Sequence, residues 1–470
     1  MHSTAEKFKD QAKDGLENKT LQEALGKLGF GFPLLRKVAA DSLPEFDELR
    51  DIGRDIRNHT LEYLDYYLET FEEKVTAQGG HVHWCPTDAD ARDAILKICQ
   101  SVNAKTVTKG KSMVTEEIEL NAHLIANGIE AIETDLGEYI IQLRNEPPSH
   151  IVGPAIHLKK EQVADTFRHY HDHLDKDRTL EEVPEIVREA RTILRQKYID
   201  ADVGITGANF LVAETGSSII VTNEGNGDLS QTLPKVHIVM ASIEKVIPTL
   251  EDACTMLRLL ARSATGQEFS SYTTFSTGPK RAEDVDGPEQ FHVILLDNGR
   301  SDLMGTEFQD VLRCIRCGAC MNHCPVYTSV GGHAYGSVYP GPIGSVLTPA
   351  LAGLDESHHL PKASTFCGRC EEVCPMRIPL PKMMRYWREQ SFEEQHDPAI
   401  ARWALTFWAW CARTPAVYRL GTGLMIRMLH FLGRREGHLA RLPFADGWTA
   451  HRDFPTPEKA TFQSQWKNRS

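Results

Sequence analysis

The chain has 470 residues, of which 41% are hydrophobic and 25% charged, and its formal net charge is −13. This length predicts two or three domains, and the composition is typical of a globular protein in water. The acidic balance argues against a nucleic-acid partner. The first 20 residues lack an apolar signal segment, and no run reaches the roughly 20 apolar residues of a membrane span, so the expected location is the cytoplasm.

The hydrophobic pattern divides the chain into four predicted regions. Residues 1–75 have the apolar periodicity of helices. Residues 76–300 alternate strand-like and helical segments, which predicts a Rossmann-like α/β domain with a largely parallel sheet. We expect a helical domain with the cysteine motifs at 301–390 and a helical C-terminal docking region at 391–470. The strand-like segments lie at 81–85, 106–110, 130–134, 137–143, 150–155, 208–214, 217–223, 235–242 and 291–298.

Seven of the 11 cysteines lie between residues 314 and 374, a clustering that favours a metal centre over disulfides. The first group has the C-x2-C-x2-C-x3-C-P spacing of two-cluster ferredoxins, in which three thiolates bind one cluster and the fourth binds its neighbour. A structural zinc site is the alternative, but zinc normally takes cysteines in pairs. This group consists of Cys314, Cys317, Cys320 and Cys324.

The second group has the last three cysteines of the same template, and Ser364 stands where the first cysteine belongs. Two iron–sulfur clusters are predicted, most simply [4Fe–4S]. The second set lacks a fourth thiolate, so three alternatives stay open: Ser364 oxygen ligates, a partner or small molecule fills the position, or this cluster is [3Fe–4S]. Crossed ligation assigns Cys314, Cys317, Cys320 and Cys374 to the first cluster and Cys324, Cys367 and Cys370 to the second.

The segment between the two cysteine groups is longer than in compact ferredoxins, which predicts a helical ferredoxin-type domain. Residues 331–349 are rich in Gly, Pro and aromatic side chains and are expected to be neither strand nor helix. Their position suggests that they wrap a cluster, and a surface loop is the alternative.

Polar side chains follow two strand-like segments of the α/β region. Glu214 and Thr215 follow one segment, and Asn223, Glu224 and Asn226 follow the next. Because ligands bind at the ends of strands in α/β sheets, these five residues form a candidate small-molecule site. A hairpin turn over 223–227 is the alternative, since Gly and Asn favour turns. No catalytic residue is assigned.

Several other residues could bind an anion or a metal, but we expect them to have structural roles. The segment 109–113 with Glu116 and Glu117 suits an anion-binding loop, but a capped helix start is the preferred reading. Three histidines lack ligand spacing and are expected to be structural, and the four scattered cysteines are expected to be buried. The histidines are His123, His150 and His157; the cysteines are Cys85, Cys99, Cys254 and Cys411.

Together with the cysteine groups, long segments resemble the lactate-utilisation iron–sulfur protein B family: 109–121, 133–143, 147–157, 207–217, 221–228, 235–252 and 326–349. The resemblance implies a lactate-utilisation domain with a fold like that of ribose-phosphate isomerases and coenzyme A transferases. It implies an electron-transfer subunit of a complex that oxidises L-lactate to pyruvate and feeds a respiratory acceptor. The implied partners are a cysteine-rich protein of the heterodisulfide-reductase type and a smaller α/β protein, with at most peripheral contact to the inner face of the membrane.

Two other functions are kept as alternatives. The chain is a self-sufficient 2-hydroxy-acid dehydrogenase in the first and a redox-sensing binding protein in the second. The sequence contains neither a G-x-G-x-x-G fingerprint nor a P-loop, which removes the usual warrant for nucleotide binding. No DNA-binding motif supports the sensor.

Overall fold

The structure is a computed structural model that describes residues 3–110, 112–175, 177–442, 445–449 and 452–469. The chain is divided into two compact units, residues 1–391 and residues 392–470. Within the described ranges, no helix combines the length and the apolar character that crossing a bilayer requires.

Four helices form the N-terminal region, as the periodicity predicts. Asn18 begins the second of them, because its side chain accepts a hydrogen bond from the N–H of Leu21. The third helix is amphipathic and buries Phe46, Leu49 and Leu61. The helices are α1 (Phe8–Glu17), α2 (Lys19–Asp41), α3 (Phe46–Glu62) and α4 (Leu64–Ala77).

Ten strands of the α/β region form two sheets. The six-stranded sheet is parallel throughout, in the order β1-β10-β7-β4-β2-β3, which confirms the predicted parallel sheet. The strands are β1 (His81–Cys85), β2 (Thr106–Gly110), β3 (Glu130–Glu133), β4 (Val203–Gly207), β5 (Phe210–Val212), β6 (Ser217–Thr222), β7 (Val236–Ser242), β8 (Val246–Ile247), β9 (Tyr272–Ser276) and β10 (Gln290–Leu296).

The second sheet was not expected from the sequence. It has the order β8-β5-β6-β9, and β5 and β6 form an antiparallel hairpin. The segments 208–214 and 217–223 therefore do not belong to the parallel sheet. The segments 137–143 and 150–155 are not strands, because the first lies in the helix Leu136–Arg144 and the second has no regular structure. Strand β4, which lies inside the parallel sheet, was missed because glycines weaken its strand signal. Gly204 is required there, since a Cβ would lie 1.7 Å from the carbonyl oxygen of Ser230.

Helices cover the strands of the α/β region. Capping boxes begin two of them, with Thr87 and Asp90 at one and Thr249 and Asp252 at the other. The helices are α5 (Asp88–Ser101), α6 (Met113–Glu117), α7 (Leu120–Ala126), α8 (Leu136–Arg144), α9 (Lys160–Tyr170), α10 (Val183–Ile199), α11 (Asn226–Thr232) and α12 (Leu250–Ala264).

Residues 301–391, all of which the structure describes, contain helices and no strand. The expectation for 331–349 was wrong over its second half, because 341–349 begins a buried helix with Pro342 in its first turn. The segment is largely buried, so it is not a surface loop. The helices are α13 (Ala319–Asn322), α14 (Tyr327–Val330), α15 (Gly341–Ala352), α16 (Leu354–Ser357), α17 (Arg369–Glu372) and α18 (Leu380–Glu393).

The N-terminal helices share one hydrophobic core with the cysteine segment. Leu25 of α2 and Leu61 of α3 belong to the same buried cluster as Met256 of α12, Tyr327 of α14 and Val346 of α15. Burial of this apolar surface is the main force that holds these regions together.

The C-terminal unit is mainly helical and contains one short two-stranded antiparallel sheet. Its longest helices bury very little, and α19 has no buried residue. The elements are α19 (Ala399–Arg413), α20 (Pro415–Gly433), β11 (His438–Leu439), α21 (Asp446–Thr449), β12 (Phe454–Pro455) and α22 (Phe462–Lys467).

Candidate metal centre

Four cysteines from the two groups line one cavity. They are the set that crossed ligation assigns to the first cluster: Cys314, Cys317, Cys320 and Cys374. Gly318, with φ of 74°, begins α13 and turns the chain so that successive cysteines face the cavity. The rest of the wall is mostly apolar: Ile151, Ile315, Arg316, Gly318, Ile343, Pro375, Met376, Ile378 and Leu380.

Backbone amides hold two of these sulfurs. The N–H of Arg316 donates to Cys314 Sγ over 3.4 Å, and the N–H of Ile378 donates to Cys374 Sγ over 3.5 Å. Such bonds favour the thiolate form and tune a cluster that the sulfurs bind.

Six cationic side chains surround the first cavity. Arg50 donates to the carbonyl oxygen of Cys374 over 2.8 Å, and Arg36 donates to that of Val373 over 2.7 Å. Burial, and secondly the neighbouring Cys374 thiol, raises the pKa of Cys317 to about 12, so positive charge is needed to stabilise thiolates here. The six cations are Arg36, Arg50, Arg57, Lys245, Arg313 and Arg316.

The second group is only partly enclosed. Cys324 and Cys370 are buried, whereas Cys367 is exposed. Burial raises the pKa of Cys370 to about 12 and also raises the pKa of Cys324. The nearby Cys367 thiol adds to both shifts. Ser364 Oγ accepts a hydrogen bond from the N–H of Phe366 over 3.1 Å.

Tyr335 lies between the two cysteine sets. Burial, then groups that include the Cys324 and Cys320 thiols, raises its pKa well above the usual value. Its side chain is fully buried, and its hydroxyl has no hydrogen-bond partner among the described residues. An unpartnered buried phenol is costly unless a further group accepts its proton. Sulfur atoms of a cluster held by Cys324 and Cys370 fit that requirement.

This donor set suits iron–sulfur clusters. Each iron of a cluster takes a separate protein ligand, so the thiolates surround the cluster rather than converge on one atom. In the described ranges, no three His, Cys, Asp or Glu side chains are grouped to hold a metal ion. The enclosed sulfurs, the amide donors and the cationic surround all fit an anionic cluster.

A second cavity, of about 110 Å³, adjoins the first. It lies at the carboxyl ends of β2, β4 and β6, the position where α/β sheets bind ligands. Ile151 and Arg316 line both cavities, so the pocket and the cysteine cavity share part of their walls. Its polar lining comprises Ser112, Glu138, Asn209, Thr222, Asn223, Lys245, Thr265, Gln267, Ser270 and Arg316.

Arg316 connects the two cavities through a buried charge network. Its guanidinium lies over the Tyr339 ring, 4.7 Å from the centroid, and pairs with Glu244 at 3.2 Å. Glu244 also pairs with Arg300 at 3.1 Å, and Arg300 pairs with Glu117 at 2.6 Å. Burial would raise the pKa of Glu244, but Arg300 and Arg316 outweigh it and lower the pKa to about 2.

The five predicted α/β site residues do not come together. Asn223 lines the pocket, but Glu214 and Thr215 lie in the turn of the β5–β6 hairpin, at its opposite end. The sequence argument assumed parallel strands, whose carboxyl ends share one edge, and the hairpin reverses that relation. Glu214 instead accepts a hydrogen bond from the N–H of Leu250.

The segment 223–227 is not a hairpin turn. Gly225, with φ of 73°, precedes helix α11, so the chain passes from β6 directly into a helix. Asn226 is buried at the start of that helix, and neither it nor Glu224 lines the pocket.

The segment 109–113 leads into a helix that Ser112 caps, which is the interpretation preferred from the sequence. Ser112 Oγ accepts from the N–H of Thr115, and Lys109 is buried against Glu116 and Glu133 rather than open to an anion. Lys111, part of the alternative loop, is outside the described residues.

His150 and His157 are structural, as expected. His150 bonds Asn322 over 2.9 Å and accepts from the N–H of Val152, and His157 bonds Glu146 over 2.9 Å. Of the scattered cysteines, Cys85 and Cys99 are buried as expected, but Cys254 is exposed and Cys411 is half-buried.

Among the pocket residues that were missed from the sequence, four are charged or bear an unpartnered group or both: Glu138, Thr222, Lys245 and Arg316. Arg316 lies inside the cysteine motif, and its position between two ligands was the available signal. The other three lie on separate elements, so no local spacing relates them.

Comparison with family models accounts for most of the chain. The LUD domain model matches residues 68–296, the 4Fe-4S dicluster domain model matches 310–378, and the model for the C-terminal region of lactate utilisation protein B matches 388–470. These matches cover the α/β region, the cysteine segment and the C-terminal unit.

Curated relatives match over almost their whole length. "Lactate utilization protein B" of Bacillus licheniformis is 42% identical over 99% of this chain and 97% of its own. The protein with the same title from Anoxybacillus flavithermus is 45% identical over 98% of each chain, and that of Bacillus subtilis is 42% identical over 98% and 96%. The alignment with a crystal structure of a DUF162 family protein from Deinococcus radiodurans covers 50% of this chain and 98% of that one, at 15% identity and a TM-score of 0.29.

Proposed function

Since the chain belongs to the lactate utilisation protein B family, we propose that it is the iron–sulfur electron-transfer subunit of a multiprotein complex that oxidises L-lactate to pyruvate. The observation that carries this proposal is the enclosure of Cys314, Cys317, Cys320 and Cys374 around one cavity. When bound, two [4Fe–4S] clusters would supply carriers of single electrons, which lactate oxidation by this route requires.

The two proposed ligand sets differ in how far the protein shields them from solvent. The first ligand set is enclosed by apolar side chains and cations, whereas the second includes the exposed Cys367. Electron transfer falls steeply with distance, so a partner must approach the exposed cysteine closely. We place the docking face for a partner subunit around Cys367 and the nearby exposed Thr365 and Arg369.

The partner assignments follow from the family. The proposal includes a cysteine-rich subunit of the heterodisulfide-reductase type and a smaller subunit with the same α/β domain. It also retains, for residues 76–300, the likeness to ribose-phosphate isomerase and coenzyme A transferase folds, which the parallel sheet supports. A respiratory quinone or a similar acceptor would receive the electrons.

The C-terminal unit is proposed to bind an anionic membrane surface on the cytoplasmic side. Residues 398–435 contain six arginines and no Asp or Glu, on a chain whose net charge is −13. Trp403 is 75% exposed and Leu420 68%, and the exposed apolar set also includes Ile400, Phe407, Trp408, Trp410, Leu424 and Phe431. Helices that combine exposed tryptophan and leucine with arginine lie in the membrane interface, where anionic lipids attract the cations.

The test of the electron-transfer proposal is reconstitution without oxygen of this protein with its two proposed partners. L-lactate should reduce an artificial acceptor in the mixture, and Cys374→Ala should abolish that reduction. Cys411→Ala, which changes a half-buried cysteine outside the two groups, should retain it. Lactate turnover by the single chain would contradict the subunit proposal and favour a self-sufficient dehydrogenase.

A further inference from the structure

Three polar groups in the pocket beside the first cysteine set have no partner. They are Arg316 Nη1, Thr222 Oγ1 and Glu138 Oε2, and each atom is buried without a hydrogen bond to any described residue. Buried polar atoms are almost always satisfied in folded proteins, and each exception costs free energy. Three such atoms in residues that line one cavity point to a ligand with complementary polar groups.

The geometry of Arg316 explains why one of its nitrogens is free. Its Nη2 donates to Glu244, and Tyr339 covers the face of the guanidinium. The residue has φ of 59°, a left-handed conformation that is unusual outside glycine. Its remaining nitrogen, Nη1, is a cationic donor without a hydrogen-bond partner among the described residues, and the residue lines the pocket.

The local charge balance favours an anion. Arg300, Arg316 and Lys245 are buried near the carboxylates of Glu117 and Glu244, so three cations face two carboxylates, and the Cys314 sulfur also lies near Arg316 and Lys245. Glu138 does not supply the missing charge, because burial and then the nearby Glu133 raise its pKa well above the usual value.

We infer that the pocket binds a small carboxylate anion of the 2-hydroxy or 2-oxo acid class, with its carboxylate against Arg316 and Lys245 and its α-oxygen within reach of Thr222. The choice of this acid class rests on the proposed function. The cavity of about 110 Å³ accommodates a few non-hydrogen atoms and excludes a dinucleotide. Guanidinium groups are the preferred protein partners of carboxylates.

The position of the pocket gives this ligand a role. Arg316 donates its backbone N–H to Cys314 Sγ and exposes its side chain to the pocket, so one residue contacts both sites. A bound acid would lie beside the first cysteine set and at the end of the sheet. The inferred site therefore places the substrate or product of the proposed reaction next to the first ligand set.

The test is isothermal titration of the full-length, anaerobically purified, iron-loaded protein with pyruvate, with oxamate and with inorganic phosphate. Pyruvate and oxamate should bind, and Thr222→Val should weaken both about five- to tenfold, the worth of one hydrogen bond. Thr108→Val is the matched control: Thr108 is also a buried strand threonine whose hydroxyl has no partner, but it does not line the pocket. Its effect should stay within about twofold.

Failure of the inference is distinct from failure of the proposed function. Absence of pyruvate and oxamate binding to protein with its full iron and sulfide content would overturn the pocket assignment and leave the electron-transfer proposal standing. Equal effects of Thr222→Val and Thr108→Val would overturn it as well. Phosphate that binds as tightly as oxamate would refute the carboxylate class. Arg316→Gln should abolish binding, and Thr222→Val keeps the test decisive where that variant fails to fold.

Discussion

Arg316 Nη2 lies 3.2 Å from Glu244 Oε1, and this buried ion pair joins the first cysteine loop to the end of the parallel sheet. Glu244 follows β7, whereas Arg316 stands between two cysteines of the first group. The α/β region and the cysteine segment are therefore fastened to each other at the point where the pocket and the first ligand set meet.

Glu244→Gln should destabilise the protein strongly. The substitution leaves Arg300 and Arg316 buried with less negative charge around them, and breaking a buried pair in this way costs about 3–5 kcal/mol. Thermal unfolding of the iron-loaded protein at pH 7 measures the effect. Glu251→Gln, an exposed change on α12, is the control and should alter stability by less than about 0.5 kcal/mol. Equal unfolding temperatures for the two variants would contradict the account.

Arg50→Gln should weaken iron retention. Arg50 of α3 donates to the carbonyl oxygens of Glu372 and Cys374, so it fixes the backbone that presents Cys374 to the cavity. Iron content after a timed challenge with a chelator should fall faster in this variant. Arg54→Gln is the matched control, since Arg54 is one turn away on α3 and pairs only with Asp51 and Asp55 near the surface. Parallel iron loss in both variants would argue against the positioning role.

The first cysteine set shows how motif spacing can predict which side chains line one cavity. Cys314, Cys317 and Cys320 are close along the chain, and their spacing alone restricts the ligand geometry. The membership of Cys374 in this set could also be predicted from the sequence, because the crossed ferredoxin template specifies which distant cysteine is the fourth ligand. Strand alternation similarly predicted the parallel sheet, apart from β4.

The pocket shows what the sequence does not reveal. Its polar residues stand on β6, α8 and the loop after β7, and only the folded sheet brings them together. Glu214 was misplaced because nothing local distinguishes an antiparallel hairpin from two parallel strands. Arg316 was overlooked because its role depends on a left-handed backbone conformation, which spacing does not encode.

His150 should contribute to acid sensitivity. Burial lowers its pKa to about 4, below the ordinary value near 6.5, so the unfolded chain binds this proton more readily than the folded one. Stability from this residue is full above pH 6.5 and is lost as the pH falls toward 4, on the order of 2 kcal/mol by pH 5. His150→Gln should flatten the dependence of denaturant midpoints on pH between 7.5 and 5.

Removal of a histidine from the surface provides the comparison for that experiment. His169 of α9 is exposed, and His169→Gln should leave the slope of stability against pH as in the parent protein. An unchanged slope in His150→Gln would show that burial of this imidazole is not a source of the acid sensitivity.

Binding to lipid should depend on the tryptophans of α19. Full-length protein should sediment with vesicles of phosphatidylglycerol and phosphatidylethanolamine and not with phosphatidylcholine alone, because each arginine near an anionic surface adds about 1 kcal/mol. Trp403→Ser with Trp408→Ser should reduce binding at least about tenfold. Trp84→Ser, a change on β1, serves as control. Equal sedimentation with both lipid mixtures, or no effect of the double change, would refute the membrane proposal.

The central claim is that two clusters are held by crossed cysteine sets. Electron paramagnetic resonance with iron and sulfide counts, on protein purified without oxygen and reduced stepwise, tests it most directly. The parent should show two interacting signals, Cys317→Ala and Cys374→Ala should lose the same one, and Cys324→Ala and Cys370→Ala should lose the other. A [3Fe–4S] signal in the oxidised parent would identify the second cluster as the three-iron form. Zinc without iron, or loss of the same signal in Cys320→Ala and Cys324→Ala but not in Cys374→Ala, would contradict the account.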